Sequence, residues 1–431
     1  MSKEENRKNF SKYVSQNILG MIGFSCYVLA DSYFISIAKG ADGLTALNLV
    51  MPLYSIIFSI GEMIGVGSAI RYAISKIKKD ADADDYFWNA LIWCILSSML
   101  FVFAGIFFSA DIMRVLGADE HIVAVGNNYT KIFMCFAPMF MCNYVTNAFV
   151  RNDGAPGIAM SATLFSSLFN IVFDYILMFP MNLGMEGAAL ATALSPIIGM
   201  GICSIHFFSK KSSVRLVVCK PSVRKLVAGG QLGVSAFVGE MSSAVITLAF
   251  NFVILKLAGN VGVAAYGVVA NIAIVTTAVF NGVAQGSQPL ISSCFGRGDK
   301  DGCTQLKRMG YTTAFVLAAV MYSILFIFAG QFVAVFNSEG SEMLRLYATE
   351  GVKLYFIGIF FAGINIVGGG AFSATEDAFK AAVVSVARGF VLILGAVFVM
   401  SALFGMTGVW LAYAVAEGIT TFIMLVMVLR V

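Results

Sequence analysis

The sequence predicts an all-α integral membrane protein, with twelve transmembrane helices in two pseudo-symmetric six-helix lobes around a central cleft. Three observations support this prediction. The 431-residue chain is 59% hydrophobic and only 12% charged, whereas soluble proteins carry about 25% charged residues. Long apolar segments recur along the chain, and its second half repeats features of its first half. The composition leaves almost nothing for a soluble domain.

Twelve apolar segments are long enough to cross a bilayer, which takes about 20 residues. Backbone groups inside hydrocarbon must be paired within the protein, so these segments are expected to be helices. An even number of spans places both termini on the same side of the membrane. The predicted spans are 14–37, 45–71, 87–109, 122–148, 157–180, 185–208, 226–257, 263–293, 309–331, 344–371, 379–401 and 406–429.

The distribution of positive charge orients the chain. Most of the 28 Lys and Arg residues fall on the side of the N-terminus, and Arg151, Arg388 and Arg430 are counted among them. The positive-inside rule then predicts a multi-pass protein of the cytoplasmic (inner) membrane with both termini in the cytoplasm. Topology therefore accounts for the net charge of +4, and no nucleic-acid partner is expected.

An internal repeat divides the chain into halves. Three pairs of segments match in the same order and at nearly the same spacing, about half the chain length. They are AKGADGLTA (38–46) with LAGNVGVAA (257–265), AFVRNDGA (148–155) with AFSATEDA (371–378), and GMEGAALATA (184–193) with GMTGVWLAYA (405–414).

Six spans in each half make the repeat parallel, with its axis along the membrane normal. The basic, polar segment 209–225 is the predicted cytoplasmic linker. It separates an N-terminal lobe (1–208) from a C-terminal lobe (226–431). Two packed lobes leave a cleft between them, which is the usual place for the substrate of a transporter built from repeats.

The apolar segment 167–179, SLFNIVFDYILMF, contains Asn170 and Asp174. A carboxylate at membrane depth costs roughly 2.5–3.5 kcal/mol on insertion scales, so Asp174 is a functional-site candidate by default. The alternative is a structural acid that a neighbouring helix satisfies.

Depth along the predicted helices gives Asp174 three partners. Asp31 and Thr192 each lie eight residues from the end of their span opposite the N-terminus, and Asp174 lies six residues from it. At about 1.5 Å per residue, all three are roughly 9–12 Å below that surface. Asn170 shares the face of Asp174 one turn deeper. Two carboxylates, an amide and a hydroxyl are therefore expected to meet in one lobe.

Such a cluster has two physical uses. Its hard oxygen atoms suit a small metal cation, and two carboxylates in a low dielectric can share a proton. The alternative is a set of separate acids, each hydrogen-bonded on its own helix. The Cys and His residues have no metal-binding spacing, so no cofactor is expected beyond a coupling ion, Na⁺ or H⁺.

Other acids within the predicted spans include Glu240, Glu417 and Glu62. Glu240, in the middle of span 7, and Glu417, in the middle of span 12, are candidates for lining the cleft or a site in the C-terminal lobe. A structural pairing is the alternative for both. Glu62 lies nearer the N-terminal side and is interpreted as structural.

Several motifs resemble those of the multidrug and toxic compound extrusion (MATE) transporters, over essentially the whole chain. The similarity is greatest to the bacterial branch that includes the DNA-damage-inducible and staphylococcal multidrug exporters. The motifs are LADSYFIS (29–36), FVRNDGAP (149–156), NIVFDYILMF (170–179), GAALATA (187–193) and QGSQPLISSCFG (285–296).

The resemblance implies drug/cation antiport by alternating access. It also implies that Asp31, Asn170, Asp174 and Thr192 form a Na⁺ or H⁺ site. This chain departs from some members at two positions. Asn147 stands where they have a glutamate four residues before the span-4 arginine. Span 10 offers Asn365 but no acid at membrane depth, which weakens an ion-coupling scheme in the C-terminal lobe.

The predicted protein is a monomeric secondary antiporter, not an enzyme, that exports amphipathic, cationic drugs or metabolites in exchange for Na⁺ or H⁺. A flippase of lipid-linked precursors is one alternative, and it would need a more cationic cleft. An intramembrane enzyme is disfavoured because His121 and His206 lie near span ends. A passive channel would not require an acid cluster in one lobe alone. Substrate identity and the choice between Na⁺ and H⁺ stay open.

Overall fold

A computed structural model describes residues 3–215, 217–336 and 341–429, and these residues contain helices and no strand. Arg430, which the charge count includes, lies outside the described residues. The α-helices are α1 Lys3–Lys78, α2 Asp85–Val115, α3 Glu120–Cys135, α4 Ala137–Asn152, α5 Pro156–Met178, α6 Gly184–Phe207, α7 Val223–Gly296, α8 Lys300–Ile327, α9 Ala329–Phe336, α10 Glu342–Tyr355, α11 Ile359–Ala374, α12 Ala378–Val386 and α13 Leu392–Leu429. A 3₁₀ turn, Phe356–Gly358, joins α10 to α11, and a π-helical turn, Ala387–Val391, joins α12 to α13.

Three of the helices are pairs of membrane spans that a glycine breaks. Helix α7 has 74 residues, about 110 Å at 1.5 Å per residue, whereas the hydrocarbon core is about 30 Å thick. Non-helical backbone at Gly40, Gly259 and Gly405 interrupts α1, α7 and α13. Glycine allows these turns because its φ is positive at each of them.

The count of spans agrees with the prediction. In the described residues, nine stretches are long and apolar enough to cross a membrane, or ten when α3 and α4, bent by 46°, are counted as one span. Two of the ten, Val223–Gly296 and Ala378–Val428, contain the breaks at Gly259 and Gly405. Counting each of these two as a pair gives the twelve predicted spans and confirms a multi-pass membrane protein.

The backbone repeats at the spacing found in the sequence. The φ values of Gly40 and Gly259 are similar, at 59° and 62°, and so are those of Gly184 and Gly405, at 52° and 58°. Lys79, a non-glycine residue with φ 59°, corresponds in the same register to Gly298 with φ 72°. Unusual φ values at matching positions indicate that the two halves fold alike.

The two lobes touch on the side of the N-terminus. A Cβ atom on Gly67 would lie 2.0 Å from the carbonyl oxygen of Gly229, and one on Gly233 would lie 2.0 Å from that of Met63. Here the backbones of the two lobes are in direct contact, which only glycine permits. A Cβ on Gly259, at the opposite side, would meet no atom within 4 Å.

Polar links join the lobes on the same side. Arg71, at the end of the second span, pairs with Glu376 of the C-terminal half. Lys225 Nζ lies 2.5 Å from Asp85 and 2.9 Å from Asp82. The lobe boundaries and the linker 209–225 stay a prediction. That segment contacts the N-terminal half, where Ser213 N donates to Asp153 at 2.8 Å.

Candidate functional site

The first candidate site lies inside the N-terminal half, in the part predicted from depth. Helix α5 presents Asn170 and Asp174 one turn apart, α6 presents Thr192, and the first span of α1 presents Asp31. Asn170 and Asp174 are fully buried, and Thr192 and Asp31 are 2% and 7% exposed. We call these four residues the acid cluster.

An amide connects the members of the acid cluster. The Asn170 amide lies 3.2 Å from Thr192 Oγ1. With its NH₂ group turned toward α5, Asn170 donates to Asp174 Oδ2 at 3.1 Å, and its carbonyl accepts from Thr192 Oγ1 and Thr192 N. This orientation satisfies both ends of the amide, which is how such amides are assigned. Asn170 therefore orients Asp174 rather than neutralising it.

The two carboxylates keep unused oxygen atoms. Asp31 Oδ1 and Asp174 Oδ1 are buried and have no hydrogen-bond partner among the described residues. The two groups are also close enough to interact electrostatically. A buried carboxylate oxygen without a partner is costly, and a cation or a proton would remove that cost. Both fit, because every side-chain ligand here is oxygen or amide.

Three tyrosines surround the acid cluster, and the sequence-based prediction did not include them. Tyr27, Tyr54 and Tyr129 all interact electrostatically with Asp31 and Asp174. The hydroxyls of Tyr54 and Tyr129 are hydrogen-bonded to each other. Tyr27 lies four residues before Asp31, so helical spacing could have found it.

The second candidate site is a cleft between the lobes, with a volume of about 1070 Å³ that includes its open side. The N-terminal half contributes the polar side chains of Glu62, Asn147 and Arg151, and the C-terminal half contributes Glu240 and Gln285. The apolar lining comes largely from Met21, Phe24, Phe58, Phe140 and Met160.

Tyr27 connects the cleft with the acid cluster. Its side chain lines the cleft, and it interacts electrostatically with Glu240 as well as with Asp31 and Asp174. The two aspartates themselves are not among the described residues that line the cleft. The acid cluster therefore lies outside the lining of the cleft, with Tyr27 between them.

Arg151 lies at the polar end of the cleft, in the last turn of α4. It was counted among the basic residues of the N-terminal side, and the structure adds that it is only 4% exposed. Its Nη1 donates to Gln285 Oε1 at 2.7 Å and to Asn17 Oδ1 at 3.3 Å. Gln285 Nε2 in turn donates to Glu62 Oε1 at 3.3 Å. This chain of hydrogen bonds crosses from one lobe to the other.

The other polar candidates of the cleft have simpler surroundings. Asn147 donates to Ala159 O at 3.1 Å and to Thr163 Oγ1 at 3.2 Å. Glu62, interpreted from sequence as structural, lines the cleft and interacts electrostatically with Glu240.

The third site, in the C-terminal half, corrects the placement of Arg388. This residue lies in the π-helical turn, ten residues after the start of α12, and not at the membrane surface. Its Nη2 and Nε lie 2.7 and 3.0 Å from Glu417 Oε1. Asn365 Nδ2 donates to Glu417 Oε2 at 2.7 Å. Glu417, a candidate from sequence, therefore forms an ion pair with Arg388. Asn365, the other candidate, is hydrogen-bonded to Glu417.

The two histidines lie away from these three sites. His121 pairs with Asp42 at 2.9 Å, and both side chains are exposed. His206 Nε2 lies 2.8 Å from Asp153 Oδ2 on the side of the linker. Among the described residues, no group of three or more His, Cys, Asp or Glu side chains could hold a metal ion.

Comparison with protein families gives a match over most of the chain. The family model described as MatE matches residues 17–176 and 236–399. The chain belongs to the MatE family. The two matched segments cover the acid cluster except Thr192, and Glu240, Asn365 and Arg388 in the second half.

Curated relatives of this MatE protein are similar over nearly their whole length. It is 27% identical over 414 residues to the multidrug export protein MepA of Staphylococcus aureus (strain MRSA252), covering 93% of this chain and 89% of the relative. It is 26% identical over 409 residues to the protein of the same name from Staphylococcus saprophyticus, with the same coverage.

Solved structures share the two-lobe fold of this MatE protein. One, described as the outward-facing conformation of a multidrug resistance MATE family transporter of the MOP superfamily, has a TM-score of 0.92 at 20% identity, covering 99% of this chain and 96% of that one. Another is a MOP superfamily transporter from Pyrococcus furiosus Vc1, with a TM-score of 0.90 at 20% identity and coverage of 98% and 95%. Its description states that the reversed polarity of its binding pocket suggests a different function.

Proposed function

We propose that this protein is a secondary antiporter, which exports amphipathic, cationic compounds in exchange for Na⁺ or H⁺ by alternating access. One observation carries the proposal. Two buried carboxylates with unpartnered oxygen atoms, Asp31 and Asp174, lie beside a cleft between two lobes. The MatE family and the MepA relatives, which are named as multidrug export proteins, support it.

The acid cluster is the proposed coupling site. A cation or a proton bound between Asp31 and Asp174 relieves both their repulsion and their unpartnered oxygens. Asn170 and Thr192 hold Asp174 in place while the ion enters or leaves. The site comes from α1, α5 and α6, so binding draws these helices together and release lets them separate. Tyr27 then transmits the change to the cleft.

The cleft is the proposed substrate site. Phenylalanine and methionine side chains give it an adaptable apolar surface, which suits substrates of varied shape. Glu240 has no hydrogen bond or ion pair among the described residues, and Glu62 interacts with Arg151 through Gln285. One carboxylate is therefore left to attract a cationic group.

The contacts between the lobes and the charge distribution support an assignment of the side to which the cleft opens. The glycine contacts and the Arg71–Glu376 pair close the N-terminal side. With the N-terminus in the cytoplasm of a bacterial cell, as the positive-inside rule predicts, this conformation faces outward. A substrate in the cleft would then leave to the outside, and a coupling ion would enter from there.

The test is efflux of a cationic fluorescent dye from proteoliposomes under a Na⁺ gradient and, separately, a pH gradient. One of the two gradients is expected to drive efflux in the wild type, and Asp174→Asn is expected to abolish it. Asp301→Asn, an exposed acid in the first turn of α8, is the matched control. Near-normal driven efflux by Asp174→Asn contradicts the coupling role, and dye flux that ignores both gradients contradicts antiport.

A lipid-linked-precursor flippase is the second candidate, because Arg151 places a guanidinium inside the cleft. Glu62 and Glu240 oppose that charge, so the cleft as a whole does not favour a pyrophosphate. Translocation of a pyrophosphate-linked lipid in the same liposomes, without dye efflux, would favour the flippase.

A further inference from the structure

A guanidinium occupies the polar interior of the C-terminal lobe. Arg388 contacts Glu417 with two nitrogen atoms, Nη2 at 2.7 Å and Nε at 3.0 Å from Oε1, and Nε also lies 3.3 Å from Oε2. The Glu417 side chain is 3% exposed and that of Arg388 is 16% exposed. Two charges are thus buried together within the membrane-spanning part of the lobe.

Neutral groups complete the surroundings of Glu417. Asn365 donates to Glu417 Oε2 at 2.7 Å and to the Glu417 carbonyl at 2.9 Å. Thr421 donates to Asn365 Oδ1 at 3.0 Å. The Tyr413 side chain interacts electrostatically with Arg388 and Glu417 and stacks on Tyr355, with 4.4 Å between ring centroids.

The N-terminal lobe has a similar arrangement without the guanidinium. In both lobes, a threonine hydroxyl is hydrogen-bonded to an asparagine, and that asparagine donates to a buried carboxylate. In the repeat, α6 corresponds to the part of α13 after Gly405, so Thr192 and Glu417 lie on equivalent spans. Asp174 keeps an unpartnered oxygen, whereas both oxygens of Glu417 have partners.

The local backbone explains how a long basic side chain fits there. Arg388 is the second residue of the π-helical turn Ala387–Val391. A π-helical turn is wider than an α-helical one and is often found at functional sites. Gly389 packs against Ser242 of α7, and a Cβ atom on Gly389 would lie only 2.6 Å from Ser242 Cβ. The π-helical turn therefore cannot move closer to α7.

We propose that the C-terminal lobe contains a cation site whose cation is the guanidinium of Arg388 itself. Arg388 takes the place beside Glu417 that a coupling ion takes beside Asp174. Because this cation is covalently attached, the site exchanges nothing with the solution. For coupling, a consequence that rests on the proposed function, only the acid cluster contributes ions to each transport cycle.

The proposal differs from an ordinary structural ion pair in what happens when Arg388 is removed. A purely structural site would lose stability and gain nothing. A cation site without its resident cation would accept an alkali cation at Glu417, whereas uptake of a proton is expected of any buried carboxylate that loses its basic partner. The ionisable groups that face the pair are the phenols Tyr355 and Tyr413, which stay neutral near pH 7.

The test measures thermal unfolding of the purified full-length chain, so it does not depend on transport. Asp174→Asn is the background, because it removes one of the two carboxylates of the acid cluster. The midpoint temperature is followed while NaCl replaces choline chloride at constant ionic strength, and separately from pH 8 to pH 6. Arg388→Met is the test variant, and Arg388→Met with Glu417→Gln is its matched control.

Arg388→Met is expected to lower the midpoint temperature by about 5 °C in choline at pH 8, because it leaves a buried carboxylate unpaired. Added Na⁺ at pH 8 should recover much of that loss. A lower pH should also recover part of it, because an unpaired buried carboxylate can be protonated, so the response to Na⁺ is the one that tests the cation site. The response of Arg388→Met to Na⁺ should exceed that of the background and of the double variant, which both keep Asp31. If Arg388→Met does not fold and the double variant does, expression of Arg388→Met in high Na⁺ should restore it.

Three results would overturn the proposal. Arg388→Met could show no Na⁺ dependence beyond that of the background. The dependence could persist after Glu417→Gln. The double variant could be as unstable as the single one. Failure of dye efflux to follow an ion gradient would instead count against the antiport function and leave this stability test unaffected.

Discussion

The two lobes each bury a carboxylate to which an asparagine donates a hydrogen bond, but they balance its charge in different ways. In the N-terminal lobe, Asp174 has an amide partner and an unpartnered oxygen, with Asp31 nearby. In the C-terminal lobe, Glu417 has an amide partner and the guanidinium of Arg388. The first arrangement leaves two carboxylate oxygens without a partner, and in the second both oxygens of Glu417 have one.

The difference suggests a division of roles between halves that share one fold. A site that must release an ion cannot also be fully satisfied by the protein. A lobe that keeps its own cation offers the other lobe a rigid body to move against. The predictions below test this contrast, beginning with the largest expected effect.

Neutralising the two carboxylates should affect stability very differently. Glu417→Leu leaves the Arg388 guanidinium buried without its partner, which typically costs about 3–5 kcal/mol. Asp174→Asn removes a charge that has no ionic partner among the described residues, so a change within about 1 kcal/mol is expected. Thermal or denaturant unfolding of the two purified variants measures both changes in stability. Equal losses would remove the contrast between the lobes.

The glycine contacts between the lobes give the next largest expected effect on stability. Gly67→Ala puts a methyl group 2.0 Å from the Gly229 carbonyl, and overpacking of this kind costs about 1–3 kcal/mol. The cost falls only on the conformation that closes the N-terminal side, so the cleft should open there more often. Gly230→Ala is the matched control, because a Cβ on Gly230 meets no atom within 4 Å.

A cysteine at Met21, which lines the cleft, can report the opening. In a chain whose own cysteines are replaced, an impermeant thiol reagent applied from the N-terminal side should label Met21→Cys several-fold faster with Gly67→Ala than with Gly230→Ala. Equal labelling would mean that the glycine contacts do not hold this side closed.

Removing one hydroxyl from each lobe tests ion binding more finely. Thr192→Val takes away the group that fixes Asn170 beside Asp174. Loss of such an outer partner commonly weakens ion binding by about 10- to 100-fold. Thr421→Val removes the equivalent hydroxyl from Asn365 and should leave ion dependence unchanged. The ion concentration for half-maximal efflux distinguishes the two, and a shift with Thr421→Val would assign ion binding to both lobes.

The sequence was most informative where a regular helix converts residue number into depth. Counting along spans placed Asp31, Asp174 and Thr192 at one level, because helical rise is constant. Tyr54 and Tyr129 were out of reach of this method. They approach the acid cluster from other spans, and no local pattern encodes which spans pack together.

Arg388 was misplaced for a different reason. Lys380 precedes it by eight residues, and a charge count treats nearby basic residues as one group at the membrane surface. The structure places Arg388 deep in the lobe, where a π-helical turn aims it at Glu417. The sequence carried a signal, since residue 388 lies within the predicted span 379–401. Its partner Glu417 is 29 residues away, beyond the break at Gly405, and was not predictable from spacing.

The smallest expected effect concerns the contact between the first turn of α7 and the loop before α2. Lys225 pairs with Asp82 at 2.9 Å, and its hydrogen bond is the main cause that lowers the pKa of the Asp82 carboxyl. A lowered pKa stabilises the folded state above the ordinary pKa, and the contribution is lost as pH falls through the folded value, so only acid conditions should remove it.

Asp82 is largely exposed, so Asp82→Asn should cost less than about 1 kcal/mol. Asp85 still holds Lys225 at 2.5 Å in that variant. Unfolding of both proteins at pH 7 and below pH 4 measures the difference, which should be small at pH 7 and absent in acid. A difference that instead grew toward acid would mean that Asp82 is stabilised in its protonated form, and that another contact holds the loop to α7.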